Sequence, residues 1–210
     1  MSETTTTAAE PLTVALVHGA FVDASSSNGI IQRLQAAGAR VTAPANPLRG
    51  AADSAYIASA FEQIPGRVLA VGHSYGGAVI TNAATKARNV VGLVYVAAFA
   101  PEEGERLGEV EATSKDSVLN TVLVPLHYPT GRGAETAVEF AVDPAKLHDA
   151  VASDLPAELT ALAAAAQRPV AELAFSEPSG VPAWKTLPSW ADVILAAVAA
   201  LAEPVAARGR

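Results

Sequence analysis

Four short apolar runs, each followed by a segment of a different periodicity, constrain this chain more than any other feature. Leu12–Val17 is mostly apolar and ends at His18-Gly19, Arg40–Ala43 is closed by a loop containing Pro44, Pro47 and Gly50, and Val68–Val71 and Val90–Ala98 follow. Runs that are apolar throughout, rather than alternating, suit strands buried on both faces of a sheet. Between them, Ser25–Ala37 carries Ile30, Ile31, Leu34 and Ala37 at helical spacing, with Gly38 as its stop. Ala51–Ile64 sets Tyr56, Ile57, Ala60, Phe61 and Ile64 on one helical face, and Gly76–Lys86 reads as a third helix. Strands joined by helices predict a parallel, doubly wound α/β sheet over residues 12–100.

The character changes at Pro101. From there to Thr186 the chain holds short helical patterns (Pro144–Ser153 and Pro156–Gln167), many prolines and no convincing buried strand. An insertion of this type, placed after a strand of an α/β sheet, predicts a helical lid over the C-terminal ends of the strands, spanning 101–186. Residues 187–210 are expected to return to the core and close with an Ala/Val/Leu helix, Ala191–Ala202. Residues 1–11 form a Thr-rich polar tail, expected to be disordered. A length of 210 residues accommodates one domain with such an insertion.

Composition narrows the chemistry. The chain has no cysteine, so a catalytic nucleophile has to be a hydroxyl, an amine or a carboxylate. A net charge of −7 and a pI near 5.1 argue against a nucleic-acid partner or an anionic membrane surface. The longest apolar runs fall short of the roughly 20 residues of a membrane-spanning helix. The N-terminus has neither the basic nor the apolar region of a secretory signal. A cytoplasmic protein acting on a small molecule is the expectation.

Gly72-His73-Ser74-Tyr75-Gly76 matches G-x-S-x-G and lies directly between the third strand and a helix. In that context the pattern predicts a sharp turn that holds a serine in a strained conformation with its hydroxyl exposed. Ser74 is the candidate nucleophile. Acyl transfer also needs two donors aimed at the developing oxyanion, one of them from a separate loop. The amides of Tyr75 and of Ala20, in His18-Gly19-Ala20-Phe21 after the first strand, are the natural pair. Neighbouring first and third strands would bring the two motifs together at the sheet's switch point. His18 is expected to brace the loop and border the pocket, with Phe21, Trp184 and Trp190 shaping an apolar pocket wall.

These residues resemble the α/β-hydrolases, and within them the small bacterial hydrolases related to the plant methyl esterase and hydroxynitrile lyase group. The resemblance rests on HGAFVDASS (His18–Ser26), GHSYGGAVITNAA (Gly72–Ala84), VYVAAFAPEEGE (Val94–Glu105), AQRP (Ala166–Pro169) and SEPSGVPAWKTLPSW (Ser176–Trp190). It implies ester or related hydrolysis by a Ser, acid and His triad, with no metal or organic cofactor.

The chain departs from that pattern in two places. Similar proteins usually carry Trp where this chain has Ser27. More consequentially, the triad acid and His are expected after the two strands that follow the lid. Leu187-Pro188-Ser189-Trp190 reads as the entry to the first of these, while Ala191–Leu195 already resembles the family's terminal helix. A strand–helix–strand unit needs about 30 residues, for which there is no room between them. The sheet is then expected to be reduced to about four strands, with an exposed edge that invites homo-oligomers.

The chain has four histidines, and none fills the vacant role by position alone. His73 adjoins the nucleophile and is expected to point away from it, while His127 and His148 fall in the lid. Glu102, Glu103 and Glu105 follow the fourth strand and read as a solvated helix start. Asp192 reads as a surface residue of the last helix. Three functional readings stand: a carboxylesterase-type serine hydrolase, a non-catalytic relative that kept the pocket, and a lyase or haloperoxidase-like activity on the same elbow.

Overall fold

The computed structural model describes residues 10–115 and 117–192. The predicted terminal helix from residue 193 onward, and nearly all of the predicted tail, lie outside them.

The core is a parallel sheet of β1 (Leu12–Val17), β2 (Arg40–Thr42), β3 (Arg67–His73), β4 (Val90–Val96) and a last strand, Ser189–Asp192. Its spatial order is β2-β1-β3-β4 followed by that last strand. The expected α/β sheet is present, and β1 and β3 are neighbours from Leu12↔Arg67 to Val17↔Gly72. Helices α1 (Asn28–Ala36), α2 (Ala51–Glu62) and α3 (Tyr75–Ala83) connect the strands.

Alternate residues of each strand feed two cores, as the period of two requires. Ala15, Val17, Val68, Ala70, Leu93 and Tyr95 pack with Ile57 and Phe61 of α2 and Val79, Ile80 and Ala83 of α3. Val14, Leu16, Val71 and Val94 face the other way, against Leu34, Ile30 and Ile31 of α1. Burying each such Val, Leu or Ile contributes about 1.5–3 kcal/mol relative to exposure. The apolar runs of the sequence are therefore explained by burial on both faces.

Two expectations need correction. Among the described residues the sheet has five strands rather than about four, because Ala191 and Asp192 continue a strand instead of starting a helix. Leu93 N–H donates to Pro188 O (3.0 Å), and Ser189–Asp192 then pairs in parallel with Leu93–Val96. The extended backbone that Pro188 imposes on its predecessor leads the chain straight onto the open edge of β4.

The second correction concerns the insertion, which is not purely helical. After α4 (Leu107–Ala112) and α5 (Leu119–Val122), β5 (Leu123–Pro129) and β6 (Thr136–Val142) form an antiparallel hairpin. Then come α6 (Leu147–Val151), α7 (Ala157–Ala166), β7 (Val170–Ala171), α8 (Leu173–Ser176) and finally β8, the Ser189–Asp192 strand of the main sheet. The order β5-β6-β7 leaves β5 at an edge, where Pro125 and Pro129 cost no ladder bond. Gly131 and Gly133, at φ 81° and 64°, make the connecting turn.

The insertion is bound to the core by burial of Val142, Leu147, Val170 and Ala174 in the larger cluster. Polar ties supplement this. Arg49 pairs with Glu139 (2.5 Å) and stacks on the Tyr128 ring, and the Glu177 carboxylate accepts the Ala51 N–H at the start of α2. No described helix is long and apolar enough to cross a membrane.

Candidate active site at the C-terminal edge of the sheet

All four non-glycine residues with left-handed backbone among the described residues follow a strand of the sheet. They are Phe21 (φ 65°) after β1, Leu48 (62°) after β2, Ser74 (51°) after β3 and Ala97 (42°) after β4. Strain of this kind costs about 1–3 kcal/mol per residue and collects at functional rims. It marks the edge at which doubly wound sheets bind ligands.

Ser74 sits at φ 51°, ψ −122°, between β3 and α3. Its neighbours make the turn possible. A Cβ on Gly72 would lie 2.6 Å from the Gly77 backbone, and one on Gly76 would lie 2.2 Å from Val17 O. Gly77 is equally confined, 2.4 Å from Phe99 O. The Ser74 carbonyl accepts N–H groups from Gly77 (3.0 Å) and Phe99 (3.2 Å), so backbone bonds hold the strained residue from two sides.

The loop after β1 closes against this serine. A Cβ on Gly19 would meet Ser74 Cβ at 2.9 Å, His73 O at 3.2 Å and His73 Nδ1 at 3.3 Å. The two motifs, some 50 positions apart in sequence, therefore touch. Neither the Ala20 nor the Tyr75 amide donates to a protein acceptor among the described residues. Tyr75 is the first residue of α3, where helical N–H groups lack intrahelical partners.

His18 is almost wholly buried (1% exposed), and both of its ring nitrogens are used. Asn46 N–H donates to Nε2 (3.0 Å), so that nitrogen is unprotonated, and Nδ1–H donates to Gly19 O (2.9 Å). Asn46 Nδ2 returns a bond to His18 O (3.1 Å). Burial, the largest influence, pushes the imidazole below its ordinary range, consistent with this neutral tautomer. His18 thus braces the loop, as expected, but a side chain so enclosed does not line an open pocket.

Phe21 likewise packs into the main core, with its carbonyl accepting Arg168 N–H (3.2 Å). Arg168 also donates to Asn46 O (3.2 Å), and Ala171 N–H donates to Leu48 O (2.9 Å). The AQRP segment is therefore a brace from the insertion to the loops after β1 and β2.

The tryptophans do not meet at the serine. Trp184 donates its indole N–H to Pro101 O (3.3 Å), pinning the insertion to the loop after β4. Trp190 is half exposed, pairs in register with Val94 in the body of β4 and lies across Gly92. Glu105 accepts the Glu102 N–H and Glu102 pairs with Lys185, so these carboxylates serve their own loop. His127 is exposed on β5, and His148 pairs with Asp149. Among the described residues no imidazole or carboxylate is hydrogen-bonded to the Ser74 hydroxyl.

Sequence reasoning missed Asp53. Buried on α2, its carboxylate accepts N–H bonds from Arg49 (2.9 Å) and Gly50 (3.3 Å) and the Tyr75 O–H (2.7 Å). Burial drives its pKa up and these bonds oppose that rise. Its signal was present, an acid in the first turn of a predicted helix, but its partner Tyr75 is distant in sequence. A cleft of about 500 Å³ opens nearby between α2, α3 and residues 173–181, and Ser74 is not among the residues that line it.

The model of the Alpha/beta hydrolase family matches residues 14–209. The chain belongs to the alpha/beta hydrolase family. Solved structures of similar fold include polyneuridine aldehyde esterase, at 20% identity and TM-score 0.69, covering 86% of this chain and 79% of that one. Tomato methylketone synthase I is similar at 20% identity and TM-score 0.70, over 91% and 83%. The methylesterase MES16 from Arabidopsis is similar at 19% identity and TM-score 0.66, over 91% and 84%. No curated protein matches the chain in sequence. At these identities the solved structures speak to the fold, and the family membership to the descent of the elbow.

Proposed function

We propose that this chain is a serine hydrolase of the carboxylesterase type, acting on a small ester-like substrate. Ser74 is the nucleophile, and the amides of Ala20 and Tyr75 receive the oxyanion. The observation that carries this reading is the strained Ser74 turn with Gly19 packed against its Cβ. A family so rich in esterases, with polyneuridine aldehyde esterase and MES16 among the similar folds, is in keeping with it.

Two features support the reading. The strained turn sets Ser74 at the start of α3, and neither amide is engaged by a protein acceptor among the described residues, so both are available where charge develops. Removing one such donor costs about 10²–10³ in kcat in a serine protease test case. A soluble protein placed in the cytoplasm and needing no cofactor fits the same reading.

The test is covalent labelling of the folded protein by a fluorophosphonate. The expected result is one adduct, at Ser74, that Ser74→Ala abolishes. A folded wild type that takes no label would overturn the hydrolase reading. It would favour the second one, a non-catalytic relative, for which the unpartnered Ser74 hydroxyl is the supporting observation.

A further inference from the structure

The free Ala20 amide is one half of a rigid unit whose other half is held. Gly19 C=O and Ala20 N–H belong to one trans, planar peptide, so the two groups point in opposite directions and turn together. His18 Nδ1–H donates to that carbonyl at 2.9 Å. Whether Nδ1 carries the proton is decided at the other ring nitrogen. There Asn46 N–H, which can only donate, bonds to Nε2 at 3.0 Å and leaves the ring proton on Nδ1. The Asn46 side chain secures the preceding peptide as well, Nδ2–H donating to His18 O at 3.1 Å. Two successive peptides of the loop after β1 are thus fixed from one residue. Asn46 and His18 are 0% and 1% exposed, so these bonds are shielded from water. Arg168 of the insertion donates to Asn46 O (3.2 Å) and, through its own N–H, to Phe21 O (3.2 Å), which closes the network on the far side of Ala20.

We propose that Asn46 and His18 are positioning residues for an oxyanion donor at Ala20, with Asn46 setting the His18 tautomer and His18 orienting and polarising the Gly19–Ala20 peptide. The proposal rests on the reading of the Ala20 amide as an oxyanion donor. Orientation comes first. With its carbonyl held, the peptide does not swing as a tetrahedral intermediate forms, so no reorganisation accompanies the developing charge. Polarisation adds to this. A donor on C=O draws electron density from the amide nitrogen and makes its N–H a stronger donor, and linked hydrogen bonds strengthen one another by about 10–30% per bond. Neither side chain exchanges a proton or touches substrate, so their effect falls on the acyl-transfer step rather than on substrate binding. It depends on the donor at Nδ1, not on the volume of the ring.

The test is saturable labelling of the full chain by the same fluorophosphonate, whose phosphoryl oxygen takes the place of the oxyanion. It separates the limiting labelling rate from the half-saturating concentration, under conditions where urea denaturation shows each variant to be folded. His18→Phe keeps a ring without a donor, and His18→Asn keeps an N–H near the Nδ1 position. His18→Phe is expected to lower the limiting rate about 10²-fold, the lower end of what losing one oxyanion donor costs, with the half-saturating concentration unchanged. His18→Asn is expected to keep most of the rate, a rescue that a merely space-filling role would not produce. Asn46→Ala removes the Nδ2 donor without crowding the core and is expected to lower the limiting rate about tenfold, less than full loss of the donor. It reads the relay even where His18→Phe does not fold. Asn46→Ala or folded His18→Phe at the wild-type limiting rate, His18→Asn no faster than His18→Phe, or a change confined to the half-saturating concentration overturns the proposal and leaves the hydrolase reading intact. A folded wild type without label overturns both.

Discussion

Gly19→Ala tests whether the contact between the β1 loop and Ser74 is what organises the site. The added Cβ would stand 2.9 Å from Ser74 Cβ, against an ordinary contact of 3.4–4 Å. Something has to move by roughly 0.5–1 Å, the difference between those separations. Ser74 cannot yield, because its carbonyl is bonded to Gly77 and Phe99 and its backbone is already strained. His73 O, 3.2 Å away, belongs to the same rigid strand end. The loop itself therefore retreats, carrying Ala20 N–H with it. Overpacking of this size costs about 1–3 kcal/mol in stability. A displacement near 1 Å at a reacting group costs about 10²-fold in rate. The assay is paired: urea denaturation for stability, and fluorophosphonate labelling of Ser74 under conditions where the variant is fully folded. The expected outcome is a labelling rate about 10²-fold lower with a stability loss of only 1–3 kcal/mol. A variant that loses stability yet labels at the wild-type rate would refute the assignment of the Ala20 amide to the oxyanion site.

Three further outcomes follow from other parts of the structure. Asp53→Ala leaves the buried Tyr75 hydroxyl and the start of α2 without their acceptor, and is expected to cost about 1–3 kcal/mol in urea denaturation, more than Asp53→Asn. His18 has a folded pKa below its unfolded value near 6.5, so the unfolded chain binds the proton more readily. Its contribution to stability is whole above about pH 7 and declines as pH falls below 6.5, with His73 acting in the same sense; the urea midpoint between pH 8 and 5 should show this, and His18→Gln should flatten it. Gly29→Ala fills open space within α1 and is expected to stabilise by about 0.5–1 kcal/mol, read as a rise in thermal midpoint.

What the sequence disclosed was local. β1, β3 and β4 are legible because six or seven consecutive residues bury both faces, and the elbow because its glycines recur at fixed offsets. The β5–β6 hairpin was hidden for a physical reason. Its strands bury little, with Val124, Leu126 and His127 exposed, so no strong pattern was imposed on them, and Pro125 argued against a strand that lies at an edge. The fifth strand escaped notice because Ser189–Asp192 is short and its partner, Leu93–Val96, is about a hundred positions away. Asn46 and Asp53 were illegible as site residues on the same ground. Each acts by a hydrogen bond to a residue more than twenty positions distant, His18 and Tyr75, and one sequence carries no record of such pairings.

This division between local and distant also governs what the chain can do. Everything that strains Ser74 lies between Val17 and Phe99: the clearances of Gly72, Gly76 and Gly77, and the bonds from Gly77 and Phe99. The His18–Asn46 bonds and the Asp53–Tyr75 bond fix the flanking loops from within the same stretch. What shapes the Ser74 turn is thus complete before the insertion begins. A turn so well supported would keep its strained serine whether or not a distant imidazole is supplied, so elbow geometry alone cannot report activity.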